Sequence, residues 1–389
     1  MASVIVALFL LMTCWVKRAD AYAWMIRHDY TGCNQCHADP SGGGLLTEYG
    51  RAQSDFLLRM RYGAADSYEP PRSAEFLFGL MKLPETLLLG GGVRYARVAT
   101  RVNGQDASRL FFMQADLAGQ LAVERVKVNG SIGYAEQGAW RAALTHADQH
   151  NIVSRVHWVG ADIGRDRNWQ LRGGRMNMPF GIRTVEHTMW VRSATRTDIM
   201  ESQQHGVSLA YNGADLRGEI MLIAGNFQLA PDAFRERGYS GYLEYAASPR
   251  VVFGVSSLVA RAEKDYVSQQ SLVRHAHGVF GRFNPAKPLV LLAEADVLAA
   301  AAEGAPTNTG YVAMLQADAE VTQGLHLMAT GEALKRPADF GTSAELWGSL
   351  VWFFLPHFDT RLDLIWQSSP TPSSTVETTM LLAQLHAFL

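Results

Sequence analysis

From residue 86 to its end, this 389-residue chain runs as sixteen segments of about ten residues in which apolar and polar side chains alternate. A period of two is the mark of a β-strand whose two faces meet different surroundings. Between residues 291 and 298, Glu294 and Asp296 alternate with Ala293, Ala295 and Val297. Between 311 and 321, Gln316, Asp318 and Glu320 alternate with Leu315, Ala317 and Ala319, and between 358 and 366, Asp359, Arg361 and Asp363 alternate with Phe358, Leu362, Leu364 and Trp366. Past the first residues there is no run of about 20 apolar residues, so no helix can span a bilayer.

The segments lie near 86–102, 109–123, 125–135, 152–162, 167–175, 204–212, 216–226, 238–247, 250–262, 274–284, 288–300, 309–321, 323–336, 343–355, 357–368 and 376–389. Tight turns such as Gly164-Arg165-Asp166, Gly213-Ala214-Asp215 and Ser248-Pro249 alternate with longer polar connections at 136–151, 177–203, 227–237, 263–273 and 369–375. An even strand count with short periplasmic turns and long extracellular loops is the rule for a bacterial barrel in lipid. Trp158, Trp169, Tyr245, Trp352, Phe354 and Trp366 fall near strand ends, as interfacial girdles require. A soluble propeller or sandwich also uses many short strands, but would not confine charge to mid-strand on one face. The expected fold is therefore all-β: a 16-stranded antiparallel outer-membrane β-barrel over 73–389, preceded by a small, mostly helical segment. Both termini then fall on the periplasmic side. The last strand ends Ala387-Phe388-Leu389, its aromatic one place before the end.

An export signal agrees with this. The stretch from Ser3 to Val16 is apolar, and Ala21-Tyr22-Ala23 has the form of an A-x-A cleavage site, giving a signal peptide over 1–23. Lys17 and Arg18 follow the apolar stretch instead of preceding it, which is the mark of a short anchor, yet the stretch is too short to span comfortably. A net charge of −2 speaks against a nucleic-acid surface.

The chemistry sits between leader and barrel, in residues 24–72. Cys33-Asn34-Gln35-Cys36-His37 is a C-x-x-C-H motif, the attachment signature of c-type haem. Its two thiols add to the haem vinyl groups, and the adjacent His37 supplies the proximal iron ligand. The chain's third cysteine, Cys14, lies in the leader, so count alone excludes a disulfide framework or a four-cysteine zinc site. A redox dithiol would explain neither the adjacent His nor the export signal. One covalent haem c is expected, held by Cys33, Cys36 and His37. For the distal ligand the sequence offers His28, Met60 and Met25, a side chain of the barrel, or an open position; a Met sulfur would raise the potential relative to two imidazoles. Asp39-Pro40-Ser41-Gly42-Gly43-Gly44 reads as a turn, and residues 45–62 as an amphipathic helix folding back on the haem. About fifty residues are too few for a core of their own, so the segment should pack against or inside the barrel mouth.

The longest loop, 177–203, follows Gly174-Arg175-Met176-Asn177-Met178-Pro179-Phe180-Gly181. That stretch resembles the G-R-x-x-x-P-F-G run of some substrate-selective porins, in which the loop folds inward and narrows the pore. On the polar face of the strands, Glu219, Glu244, Glu294, Asp296, Asp318, Glu320, Glu332, Asp359 and Asp363 would draw a cation inward, diluted by Arg172, Arg217 and Arg361.

As a whole the chain resembles the fused outer-membrane monohaem cytochrome–porins of iron-oxidising bacteria. Residues Thr31-Gly32-Cys33-Asn34-Gln35-Cys36-His37 and Leu46-Thr47-Glu48-Tyr49-Gly50-Arg51 carry the likeness. It departs at Met25-Ile26-Arg27-His28-Asp29-Tyr30 and at the Gly42-Gly43-Gly44 turn. The resemblance implies electron transfer between an extracellular small donor, Fe(II) or a similar redox species, and a periplasmic cytochrome. That would make the protein an Fe(II):cytochrome c oxidoreductase set in outer-membrane lipid, with its haem segment on the periplasmic side or in the lumen. Two alternatives stand beside it: a solute porin with a haem-containing plug, and outward transfer to extracellular acceptors. A lumen dedicated to one haem segment needs no trimer, so a monomer is expected.

Overall fold

A computed structural model describes residues 22–62, 75–136, 141–145, 150–186, 188–226, 228 and 234–389. The chain closes a single antiparallel barrel of sixteen staves, built from seventeen strand pieces. Strands β1 (Leu87–Val102), β2 (Gln105–Val123) and β3 (Val126–Ala135) open it. The fourth stave is broken into β4 (Asn151–Val153) and β5 (His157–Ile163), both paired with β3. Then follow β6 (Trp169–Met176), β7 (Gln204–Asn212), β8 (Leu216–Gly225), β9 (Glu236–Ser248), β10 (Val251–Ala262) and β11 (Leu272–Ala286). The rest are β12 (Leu289–Ala302), β13 (Asn308–Thr322), β14 (Leu325–Lys335), β15 (Ser343–Leu355), β16 (Phe358–Pro370) and β17 (Thr375–Phe388). β1 pairs with β2 on one side and β17 on the other, with Gly92 opposite Phe388 and Arg94 opposite His386, so no edge is left open.

The strand positions and the alternation agree with the sequence reading. Along β12, Leu292, Glu294, Asp296 and Leu298 are buried while Ala293, Ala295 and Val297 are exposed. The outer face is an apolar belt, with Trp169, Tyr245 and Trp366 exposed among Val and Leu. Trp158 departs from the expected girdle. It faces the lumen, buried, with the Arg172 guanidinium 5.3 Å from its ring centroid. Phe388 also turns inward.

Two segments fill the lumen. The first is the N-terminal segment, hereafter the plug. A 3₁₀ turn (Ala23–His28) packs on β11 and β12 near the short-turn end of the barrel. Trp24 lies 4.5 Å from Tyr22 and 4.5 Å from His326, ring centre to ring centre, with Phe353 behind them. Helix α1 (Glu48–Gln53) begins at Thr47, whose hydroxyl accepts the Gly50 N–H at 3.0 Å. One π turn (Ser54–Leu58) ends it, and Arg59 is extended. The helix is thus shorter than the expected 45–62, and its apolar residues do not share one buried face: Leu58 is buried but Tyr49 and Phe56 are exposed. Docking against the barrel decides which positions are covered, overriding the segment's own periodicity. Of the leader expected over 1–23, only Tyr22 and Ala23 fall among the described residues. The expected boundary between residues 72 and 73 also lies outside the described residues.

The second is the 177–203 loop. It crosses from β6 to the far wall, carrying helix α2 (Trp190–Thr195), which packs on β12, β13 and β14. Glu332 accepts the Trp190 and Val191 N–H groups at 2.9 Å each. Arg192 pairs with Glu294, both buried, and Arg361 with Glu186 at 2.6 Å. The expected inward fold of this loop is what the structure has.

Candidate functional site

Three backbone bonds shape the C-x-x-C-H stretch. Cys36 N–H and His37 N–H both donate to Cys33 O, at 3.2 and 3.0 Å, and Thr47 N–H donates to Cys36 O at 2.9 Å. His37 then bridges Leu46 in antiparallel fashion. Gly50 allows this closeness, because a Cβ there would collide with the Cys36 carbonyl. The motif and the helix after it are therefore one unit.

That unit sits inside the barrel and is pinned to the wall at two places. Arg217 and Arg282 donate to Thr31 O at 2.5 and 2.8 Å, and both also pair with Glu244. On another side Asp39 lies 3.4 Å from Arg172, which pairs with Glu219. Burial alone would raise the Asp39 carboxyl. The Arg172 and Arg183 guanidinium groups, with the Ser41 N–H and hydroxyl, outweigh it and hold that carboxyl below its ordinary value. Across the lumen, Arg27 pairs with Asp318 on β13. Arg183, from the inward loop, donates to Ser41 Oγ, so the loop and the plug meet.

Between the plug, the loop and the wall is a cavity of about 270 Å³. Cys33 and His37 face it, and Cys36 is buried behind them. Neither cysteine is in a disulfide. The opposite wall is bare backbone at Gly90 and Gly92 of β1, whose inward positions carry no side chain. Leu45, Leu58, Phe280, Leu292 and Phe388 give apolar walls, and Arg94 and Arg183 add guanidinium groups. The Cys33 thiol and the His37 imidazole on an apolar space that glycines keep open, with the Cys36 thiol just behind them, are a donor set that fits a covalently attached haem, and Arg94 and Arg183 are cations that would meet its carboxylates.

The other sequence candidates lie elsewhere. Met60 Sδ accepts the Trp352 indole N–H at 3.3 Å, and its N–H donates to Phe353 O, at the barrel rim. His28 lies 3.7 Å from Glu320 in a separate hollow with Tyr49, Gln53 and Lys287. Met25 is fully buried against the wall. None of the three lines the cavity that holds His37.

The lumen carboxylates are also placed differently from a free cation guide. Eight of the nine face a partner: Glu219, Glu244, Glu294, Asp318, Glu320 and Asp363 an arginine, Asp359 the His386 imidazole, and Glu332 the loop's N–H groups. Asp296 is buried beside Glu294. Most of this charge fixes the plug and the loop. The sequence reading had not singled out Arg27, Arg192 or His386. Arg27 sits in the stretch where the family likeness is weakest, and the other two have no local motif.

No family model matches the chain, and no curated protein does. Solved structures do. OmpT of Vibrio cholerae, described in a trimer form, is similar over 78% of this chain and 99% of its own, at 9% identity and a TM-score of 0.60. The DcaP outer-membrane channel of Acinetobacter baumannii covers 78% and 97%, at 13% identity and 0.57. An anion-selective porin from Comamonas acidovorans covers 78% and 99%, at 14% identity and 0.58. The chain has the porin fold. At such identities the likeness concerns the barrel architecture, and the plug's cysteines must be judged on their own geometry.

Proposed function

We propose that this protein is an outer-membrane barrel whose lumen is closed by a plug bearing one covalent haem c, and that it passes single electrons across the membrane. The observation that carries this is the placement of Cys33 and His37 on a glycine-walled cavity inside the lumen. When bound, the haem supplies a one-electron couple whose potential follows its axial ligands and its burial. Cys33 and Cys36 would hold it, and His37 would bind its iron. The paired Arg217, Arg282 and Glu244 keep the motif's loop in register with the wall, and the Trp24 stack and the 177–203 loop exclude bulk water. A small extracellular donor, Fe(II) by the family likeness, and a periplasmic cytochrome are the partners that complete such a relay; reversed potentials would run it outward. In a His37→Ala or Cys36→Ala variant the barrel should remain folded while Fe(II)-dependent reduction, read from the visible c-type spectrum, is lost. Retained reduction in a haem-free variant refutes the relay.

The porin fold favours a second reading on its own terms: a solute channel in which the plug is a docking or gating element, assembled as a monomer or as a trimer like OmpT. Conductance in a planar bilayer separates the two. A closed relay passes little ionic current, whereas a solute channel conducts strongly with the plug in place.

A further inference from the structure

We infer that His386, on the last barrel strand, is the axial iron ligand opposite His37. This rests on the haem reading above and adds to it a ligand from the barrel instead of the plug.

His386 and His37 line the same cavity. A chain of contacts runs between them. His37 bridges Leu46, the neighbouring Leu45 side chain lies against Gly90, and Gly92 lies under the His386 ring. His386 Nε2 is 3.0 Å from where a Cβ on Gly92 would stand, so the missing side chain is what leaves that nitrogen room. The other ring nitrogen, Nδ1, is 2.8 Å from Asp359 Oδ2 on β16, its direct cross-strand neighbour. A carboxylate can only accept, so Nδ1 carries the proton and the Nε2 lone pair is free. An imidazole whose far nitrogen donates to a carboxylate is the usual form of a metal-binding histidine, with tautomer and ring direction both set.

The competing donors are less well placed. Met60, His28 and Met25 do not reach this cavity. Met200 does, from the 177–203 loop, but its fixed contacts are made by its backbone: its carbonyl accepts from Arg155 and its N–H donates to Asp198. Among the described residues facing the cavity, His386 is the neutral donor with a built second partner.

The test uses the full-length protein matured with haem, folded state checked by heat-modifiable gel mobility, and covalent haem counted as the pyridine haemochrome. Wild type should give a ferric electron paramagnetic resonance spectrum and near-infrared band of two imidazoles. His386→Ala should keep its covalent haem, turn high-spin, and return to low-spin on adding free imidazole. His386→Met, closer in volume, should acquire the near-infrared band of sulfur ligation and a raised midpoint potential. Asp359→Asn should stay low-spin with a shifted potential, because Asp359 acts through His386. An unchanged low-spin spectrum in haem-loaded His386→Ala, or a sulfur band already present in wild type, overturns the assignment while leaving the haem reading intact. Wild type without covalent haem overturns both.

Discussion

Arg27 is the residue on which plug docking can be tested most sharply. Its guanidinium is 1% exposed and pairs with Asp318, itself 0% exposed. It also donates to Asp318 O and Pro288 O at 3.4 Å, lies 3.7 Å from Glu320, and covers the Trp24 ring at 5.4 Å. Burial pulls this guanidinium's pKa down, and Asp318 and Glu320 pull it back. Arg27→Ala leaves Asp318 charged in a closed site, which costs about 3–5 kcal/mol for a broken buried pair. His326 Nδ1 stays 3.2 Å from the other Asp318 oxygen, so the lower end, about 3 kcal/mol, is expected. At about 1.4 kcal/mol per tenfold, the undocked population should rise roughly 150-fold. Single-channel recording reads this as open events that wild type almost lacks, and limited proteolysis reads it as faster cleavage between residues 22 and 62. The double variant Arg27→Met with Asp318→Leu removes both charges and should recover most of the closed state. If Arg27→Ala conducts and resists protease as wild type does, the pair is not a latch and the reasoning fails.

Two further outcomes follow from the plug. Gly50→Ala places a methyl against the Cys36 carbonyl, so backbone must move; overpacking of this kind costs about 1–3 kcal/mol. It should lower covalent haem yield while leaving the heat-modifiable barrel intact, and unchanged yield would count against Gly50 as the contact that sets the motif. His28 is pushed down to about 4, first by burial, then by Arg27, His326 and Lys287, which together outweigh the nearby Glu320. Its folded pKa lies below its unfolded value, so its contribution is complete above about pH 6.5 and is lost as pH falls toward 4. Partial exposure limits this to about 2 kcal/mol. Channel opening against pH should show the loss, and His28→Gln should flatten it; parallel curves would rule His28 out.

The barrel was legible because lipid and lumen act on every strand alike, and a period of two records that directly. The places where it was illegible are local. The break between β4 and β5 at 154–156 and the inward turn of Trp158 depend on what the lumen holds, and no strand records its contents. The carboxylates show the same limit. Sequence gave their face but not their partners, because Arg172 meets Asp39 and Arg192 meets Glu294 across long separations. The motif residues were readable from spacing. The ligand candidates named from the sequence lie in that same short segment, beside a barrel side chain left unnamed, whereas His386, the ligand proposed above, lies near the other end of the chain.

That distance is itself a consequence of size. A segment of some forty residues cannot bury enough apolar surface to offset the entropy of ordering it. Here the missing core is supplied by the barrel: Trp24 rests on His326 and Phe353, and Phe280, Leu292 and Phe388 line the cavity from the wall. An open aqueous pore has little use for such inward apolar residues, since they would face water. Their presence at the short-turn end means that the barrel's sequence is adapted to an occupant. The plug in turn needs the barrel's arginines to neutralise Asp39 and to hold Thr31. Neither half satisfies its own buried groups alone, so a cofactor seated between them, as proposed, would draw its surroundings from both. A ligand contributed by β17, which pairs with β1 to close the barrel, would also tie cofactor seating to barrel closure. Removing the plug should therefore weaken the seam between β1 and β17 more than any other pair of strands, a difference that hydrogen exchange along Gly92 and Arg94 can read.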